Sequence, residues 1–161
     1  MSDEKDIPGV IVFPPLILLA VVVIGIFLDW FWPLGFLDPL PIPVRIVLGL
    51  ALFLLGLLSG IVGSRTFGRI GTNVNPRQPA LKLADQGIFA RLRNPMYVGM
   101  GLAVLGIVIG FAFEWTLFAL VAGALVMHFG VVLREERYLE RKFGEDYRRY
   151  KASVPRYGWK F

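Results

Sequence analysis

Four predominantly apolar runs, residues 10–28, 44–62, 97–113 and 116–133, constrain this chain more than any other feature. A helix rising about 1.5 Å per residue needs roughly 17–25 apolar residues to cross the hydrocarbon of a bilayer. Each run meets that length, and the core of a soluble domain does not require it. Apolar residues make up 56% of the chain, above the ~45–50% of soluble domains. The excess sits in the runs, and the segments between them hold almost all the charge. The expected fold is therefore all-α. A single integral membrane domain covers residues 1–161, with about four transmembrane helices and a C-terminal amphipathic helix.

The connections agree with this reading. Pro14 and Pro15 fall in the opening turn of the first run, where a missing N–H costs least. Trp30, Phe31 and Trp32 close it as interfacial aromatics. Residues 64–96 are polar, basic and interrupted by Pro76, Pro79 and Gly87, so they belong outside the hydrocarbon. The first run follows an acidic start and has neither a positive leader nor a small-residue cleavage site, so it is expected to be a retained helix.

Lys5, the six basic residues between Arg65 and Arg93, and the nine of the tail from Arg134 onward all fall on one side of a four-span arrangement. Only Arg45 falls near the other, with Asp29, Asp38 and Glu114. By the positive-inside rule, both termini and the 64–96 loop are expected to be cytoplasmic.

Composition also removes function classes. The chain has no cysteine and one histidine, His128, so thiolate chemistry is excluded and no metal site is expected. The net charge of +5 flanks apolar spans, which points to anionic lipid headgroups and not to nucleic acid. Membrane lipids and a hydrophobic ligand are the expected partners. Oligomeric state is not fixed by the sequence, a monomer being the simplest arrangement.

Several constellations can carry chemistry. Gly56/Gly60 and Gly106/Gly110 allow close helix approach, within one bundle or between two copies. Gly99 and Gly101 lie at the start of the third run, where free N–H groups can receive an anion. In Arg91-Leu92-Arg93-Asn94-Pro95-Met96-Tyr97, Pro95 suits a first helical turn and Asn94 its N-cap. The segment reads either as a lipid-anchored helix start or as a polar ligand site formed by Arg93, Asn94 and Tyr97.

Glu135 and Glu136 follow the fourth run directly. They are either solvated beside Arg134, Arg137 and Arg141, or turned inward toward a cationic or hydroxyl-rich ligand. His128 precedes Glu135 by seven residues, two regular turns away on a similar face. Beyond them, Leu139, Phe143, Tyr147, Tyr150 and Val154 recur at helical spacing, with Gly144 expected to interrupt the helix without breaking it.

At this density the residues carry a resemblance. The stretch from Ala84 through Arg93, Asn94, Pro95, Met96 and Tyr97 to Gly99 is followed by a helical hairpin. Glu135-Glu136, Leu139, Phe143-Gly144-Glu145, Tyr147, Tyr150-Lys151 and Val154-Pro155 come after it. The order and spacing resemble the isoprenylcysteine carboxyl methyltransferase family and its wider kin, the phospholipid N-methyltransferases, over residues 73–155.

The resemblance implies a membrane-embedded enzyme that uses S-adenosyl-L-methionine. It assigns cofactor binding to Leu81, Lys82, Leu83, Ala84 and Phe89, to Asn94, Pro95, Met96 and Tyr97, and to Glu135, with Asn75 and Gly99 at the margin of the set. His128, Arg93 and Glu136 are candidates for a catalytic role. Asn94 stands where the isoprenylcysteine enzymes usually carry His, and Val131 where eukaryotic members often carry a basic residue. Both departures bear on the acceptor more than on the cofactor. The leading expectation is methyl transfer to a lipid-like or isoprenoid acceptor at the cytoplasmic face, as carboxylate O-methylation or phospholipid N-methylation. An NADPH-dependent membrane reductase and a non-catalytic accessory protein are the alternatives from other classes.

Overall fold

The computed structural model describes residues 6–158. Four apolar helices form a bundle: α1 (Pro14–Phe31), α2 (Ile42–Ile70), α3 (Pro95–Phe111) and α4 (Glu114–Met127). α4 runs through a π turn, His128–Val132, into α5 (Leu133–Phe143), and α6 (Glu145–Ser153) follows. α1, α2 and the continuous stretch Glu114–Phe143 are long and apolar enough to cross a membrane, and α3 is a shorter apolar helix. The all-α membrane bundle expected from the four runs is the fold observed. Side chains such as Leu19, Val23, Leu50 and Leu54 are more than half exposed on its flanks, an arrangement that suits lipid and not water.

Two element boundaries differ from expectation. α2 continues to Ile70, eight residues past its apolar run, so Arg65 and Arg69 emerge on a helix and not in a loop. It stops at Gly71, whose φ of 77° closes the helix through a bond from its N–H to Phe67 O. In the tail, Gly144 does break the helix. Its φ of 56° and ψ of −122° fit a region that only glycine enters freely, so α5 and α6 are separate elements. The expected apolar face survives the break. Tyr147, Tyr150 and Val154 are buried, with Leu139 and Phe143 packed against them.

α2 and α3 pack backbone to backbone. Gly49, Gly56 and Gly63 recur every seven residues on α2 and meet Gly106 and Gly110, then Gly99 and Ala103, then Met96. A Cβ added at Gly49 would lie 2.7 Å from Gly110 Cα, so small residues here set the helix separation. Gly60 faces open space. The seam is therefore a seven-residue stripe and not the Gly56/Gly60 pair. α1 packs on α4, with Gly25 against Thr116 and Gly123 against Val21.

Away from the basic loop, acids tie the bundle together. Asp29 accepts hydrogen bonds from Trp115 N (3.0 Å) and Thr116 Oγ1 (3.5 Å), capping α4 from the end of α1. Glu114, 1% exposed, accepts from Leu37 N at 2.5 Å.

Candidate active site

The polar end of the bundle holds a cavity of about 120 Å³, closed by the loop after α2, the start of α3, α5 and α6. The loop is shaped by short polar bonds. Thr72 Oγ1 accepts from Leu81 N (3.0 Å) and Lys82 N (3.3 Å). Asn75 Oδ1 accepts from Arg77 N at 2.9 Å, an Asx turn, and Asn73 Nδ2 donates to Pro79 O at 2.8 Å. Tyr138 Oη accepts from Ala80 N at 3.0 Å, and Tyr150 donates to Phe89 O at 2.8 Å. These bonds hold Ala80 and the stretch from Lys82 to Ala84 against the cavity.

The start of α3 forms the opposite wall. Asn94 occupies the position before Pro95, but its side chain does not cap the helix. Nδ2 donates instead to Arg156 O at 3.2 Å, beside a bond from Arg93 N to Pro155 O at 3.0 Å. These two bonds draw the segment after α6 across the helix start. Arg156 completes the attachment with a bidentate pair to Glu136, at 2.6 and 2.8 Å. Arg93 Nη1 lies 3.0 Å from the same carboxylate. Glu136 is thus buried between two guanidiniums, and its partners are Arg93 and Arg156, not the Arg134, Arg137 and Arg141 that sequence proximity suggested. Arg93 Nε is buried at the cavity without a hydrogen-bond partner.

Glu135 faces the other way. Tyr97 donates to its Oε1 at 2.7 Å, which joins α3 to α5 across the cavity. Close surrounding protein pushes the Glu135 carboxyl up, to about 7, against the lowering effect of the Tyr97 bond. Burial likewise pushes the Tyr147 phenol up to about 12, so it stays a neutral hydrogen-bonding group.

Most residues singled out from sequence meet here. Asn75, Lys82, Leu83, Ala84 and Phe89 line the cavity from the loop, and Asn94, Pro95, Met96 and Tyr97 from α3. Glu135, Arg93 and Glu136 complete it. Three do not. Leu81 is 60% exposed and turned outward. Gly99 is packed against Gly56 of α2 and is the fifth residue of α3, past the free N–H groups of the helix start. His128 lines a different cavity; it opens the π turn, which winds through fewer degrees per residue than an α-helix and so moves it off the face of Glu135.

Thr72, Asn73, Tyr138, Tyr147, Tyr150 and Arg156 were not singled out. Tyr138 lies one helical turn past Glu135 and could have been found from that spacing. The two later tyrosines were read only as an apolar face. Thr72 carries no local signal.

The second cavity, about 250 Å³, lies among α1, α3 and α4. Its walls are apolar, including Ile17, Val21, Met100 and Leu120, and Tyr97 lines both cavities.

The family model described as phospholipid methyltransferase matches residues 44–146. The chain belongs to the phospholipid methyltransferase family. The match runs from the start of α2 to the first residues of α6, so it covers α2, the loop, the start of α3 and α5 around the first cavity. No curated protein and no solved structure matches the chain. Membership makes this a membrane methyltransferase fold, and α1 lies outside the matched region.

Proposed function

We propose that the protein transfers a methyl group from S-adenosyl-L-methionine to a lipid-like acceptor, with the first cavity holding the cofactor and the second the acceptor. The observation that carries this reading is the shared wall. Tyr97 borders one cavity whose lining includes the charged side chains Arg93, Glu135 and Glu136, and another whose lining is almost wholly apolar. A donor and an acceptor of opposite polarity could meet there with water excluded, and positioning of this kind is the main demand of an in-line displacement.

The polar cavity suits the cofactor's groups. Arg93, with its unpartnered Nε, would take a carboxylate. Glu135 would take an ammonium or a ribose diol, and Phe89 and Tyr138 offer faces for a base. When bound, the cofactor would supply an electrophilic methyl on a cationic sulfur. Tyr97 holds Glu135 in place, and the bonds from Arg93 and Asn94 to Pro155 and Arg156 tie the tail beside the start of α3.

The distribution of basic residues supports a cytoplasmic position for the first cavity, the loop and both termini. The acceptor would then enter from lipid and the cofactor from the cytosol.

Titration calorimetry of the detergent-purified protein with S-adenosylhomocysteine tests the assignment. We expect micromolar binding, weakened about tenfold by Glu135→Gln, equivalent to ~1.4 kcal/mol for loss of one charged contact. Binding of NADPH in place of S-adenosylhomocysteine would overturn it in favour of a reductase.

A further inference from the structure

The glycines of α3 are of two kinds. Gly99 and Gly106 face α2, where an added Cβ would lie 2.6 Å from Gly56 O and 2.5 Å from Gly49 O, so close packing demands them. Gly101 is not held to this. An added Cβ there would meet no atom within 4 Å among the described residues, although Gly101 lines the second cavity. Gly60 and Gly68 of α2 are equally open but line neither cavity. Inside a helix, glycine is less stable than alanine. No neighbour requires it at position 101, and what the missing side chain leaves is room inside the cavity.

The position along α3 gives that room a use. Gly101 lies four residues, ~6 Å, beyond Tyr97 on the same helix face. Tyr97 belongs to the wall shared by the two cavities, and His128 and Tyr157, joined at 2.9 Å, line the same end. At the other end the wall is Leu18, Val21 and Leu120, which pack with the buried Val104 and Val108. Leu120 and His128 are eight residues apart, so the cavity extends ~12 Å along α4. It is polar at one end, apolar and closed at the other, with Gly101 between them.

We propose that Gly101 is a specificity-determining residue that sets the girth of the acceptor. A single apolar chain lies over Gly101, with its tip against the core at Val21 and its reacting end at Tyr97. Any side chain at position 101 stands across that path. The inference rests on the reading of this cavity as the acceptor's.

Photolabelling of the purified protein in neutral detergent, using dodecanol with a diazirine at its far end, tests it. Adducts mapped by mass spectrometry should fall on Leu18, Val21 or Leu120 and be suppressed by plain dodecanol. Gly101→Leu should lower this labelling by about tenfold, as expected when a filled site is overpacked. Gly101→Ala should give an intermediate loss, and Gly60→Leu should label as the parent does. Adducts absent from these residues in the parent, full labelling of Gly101→Leu, or an equal loss in Gly60→Leu would each overturn the proposal.

Folding is checked separately. Gly101→Ala should unfold at a temperature no lower than the parent's, because alanine favours the helix. If the leucine variant does not fold, full labelling of the alanine variant overturns the proposal and partial loss supports it. Both variants should bind S-adenosylhomocysteine within about twofold of the parent, since the first cavity is untouched. A parent that binds no S-adenosylhomocysteine removes the methyl-transfer reading, while the labelling still reports on Gly101. Cofactor binding together with labelling indifferent to position 101 removes this inference alone.

Discussion

At the scale of single residues, two adjacent glutamates have opposite environments. Glu136 is held by Arg93 and Arg156, whereas Glu135 has a phenol as its hydrogen-bond partner. Removing a buried carboxylate from between two guanidiniums leaves uncompensated charge. Glu136→Ala is expected to destabilise the folded protein by about 3–5 kcal/mol, read as a lowered unfolding temperature in detergent. Glu135→Ala should leave that temperature close to the parent's.

Glu135 also predicts a pH dependence. Its carboxyl is raised to about 7, so it is protonated and neutral below that pH and charged above it. A cationic ligand group is favoured by the charged form. Affinity for S-adenosylhomocysteine should therefore rise between pH 6 and 8, and calorimetry on Glu135→Gln should show that rise flattened. The pairing of Glu135 with Tyr97 was legible in the sequence only as two motifs on either side of a hairpin. The choice of Arg156 as a partner of Glu136 was not legible, because it depends on the tail folding back over Asn94, a non-local contact without a spacing signature.

At the scale of elements, the four apolar runs located the helices because membrane length is a coarse and robust constraint. Their ends were harder to place. The polar last turns of α2 carry Arg65 and Arg69, and hydropathy stops where the hydrocarbon does, not where the helix does. Gly144 misled for a related reason. Periodicity of apolar residues passes through it undisturbed, while its backbone leaves the helical region. Gly144→Ala should cost about 1–3 kcal/mol from strain at that conformation. It should also weaken S-adenosylhomocysteine binding, because Tyr147 and Tyr150 on α6 would lose their places at the cavity. Thermal unfolding and calorimetry on one preparation check both effects. The π turn left no trace in the sequence, yet it separates His128 from Glu135.

At the scale of the molecule, the first cavity, the basic loop and the tail share one end of the bundle, and the acidic caps on α4 lie at the other. The absence of cysteine gives a clean test of orientation. Single cysteines at Arg77 or Arg148 should be blocked by a membrane-impermeant maleimide only after the cells are opened, and one at Asp38 should react in intact cells. The reverse pattern would invert the proposed topology and place the cofactor cavity away from the cytosol.

The glycine stripe between α2 and α3 bears on how a bulky guest could enter. Where main chains touch, neither helix can slide or tilt without collision, so that half of the bundle behaves as a fixed jamb. α1 is pinned to α4 where Gly25 meets Thr116, but its first half leans on α4 through side chains such as Ile17 and Val21, and those can repack. Widening the apolar chamber therefore falls to the first half of α1, and the proposed acceptor's route in and out would run along a single flank of the molecule.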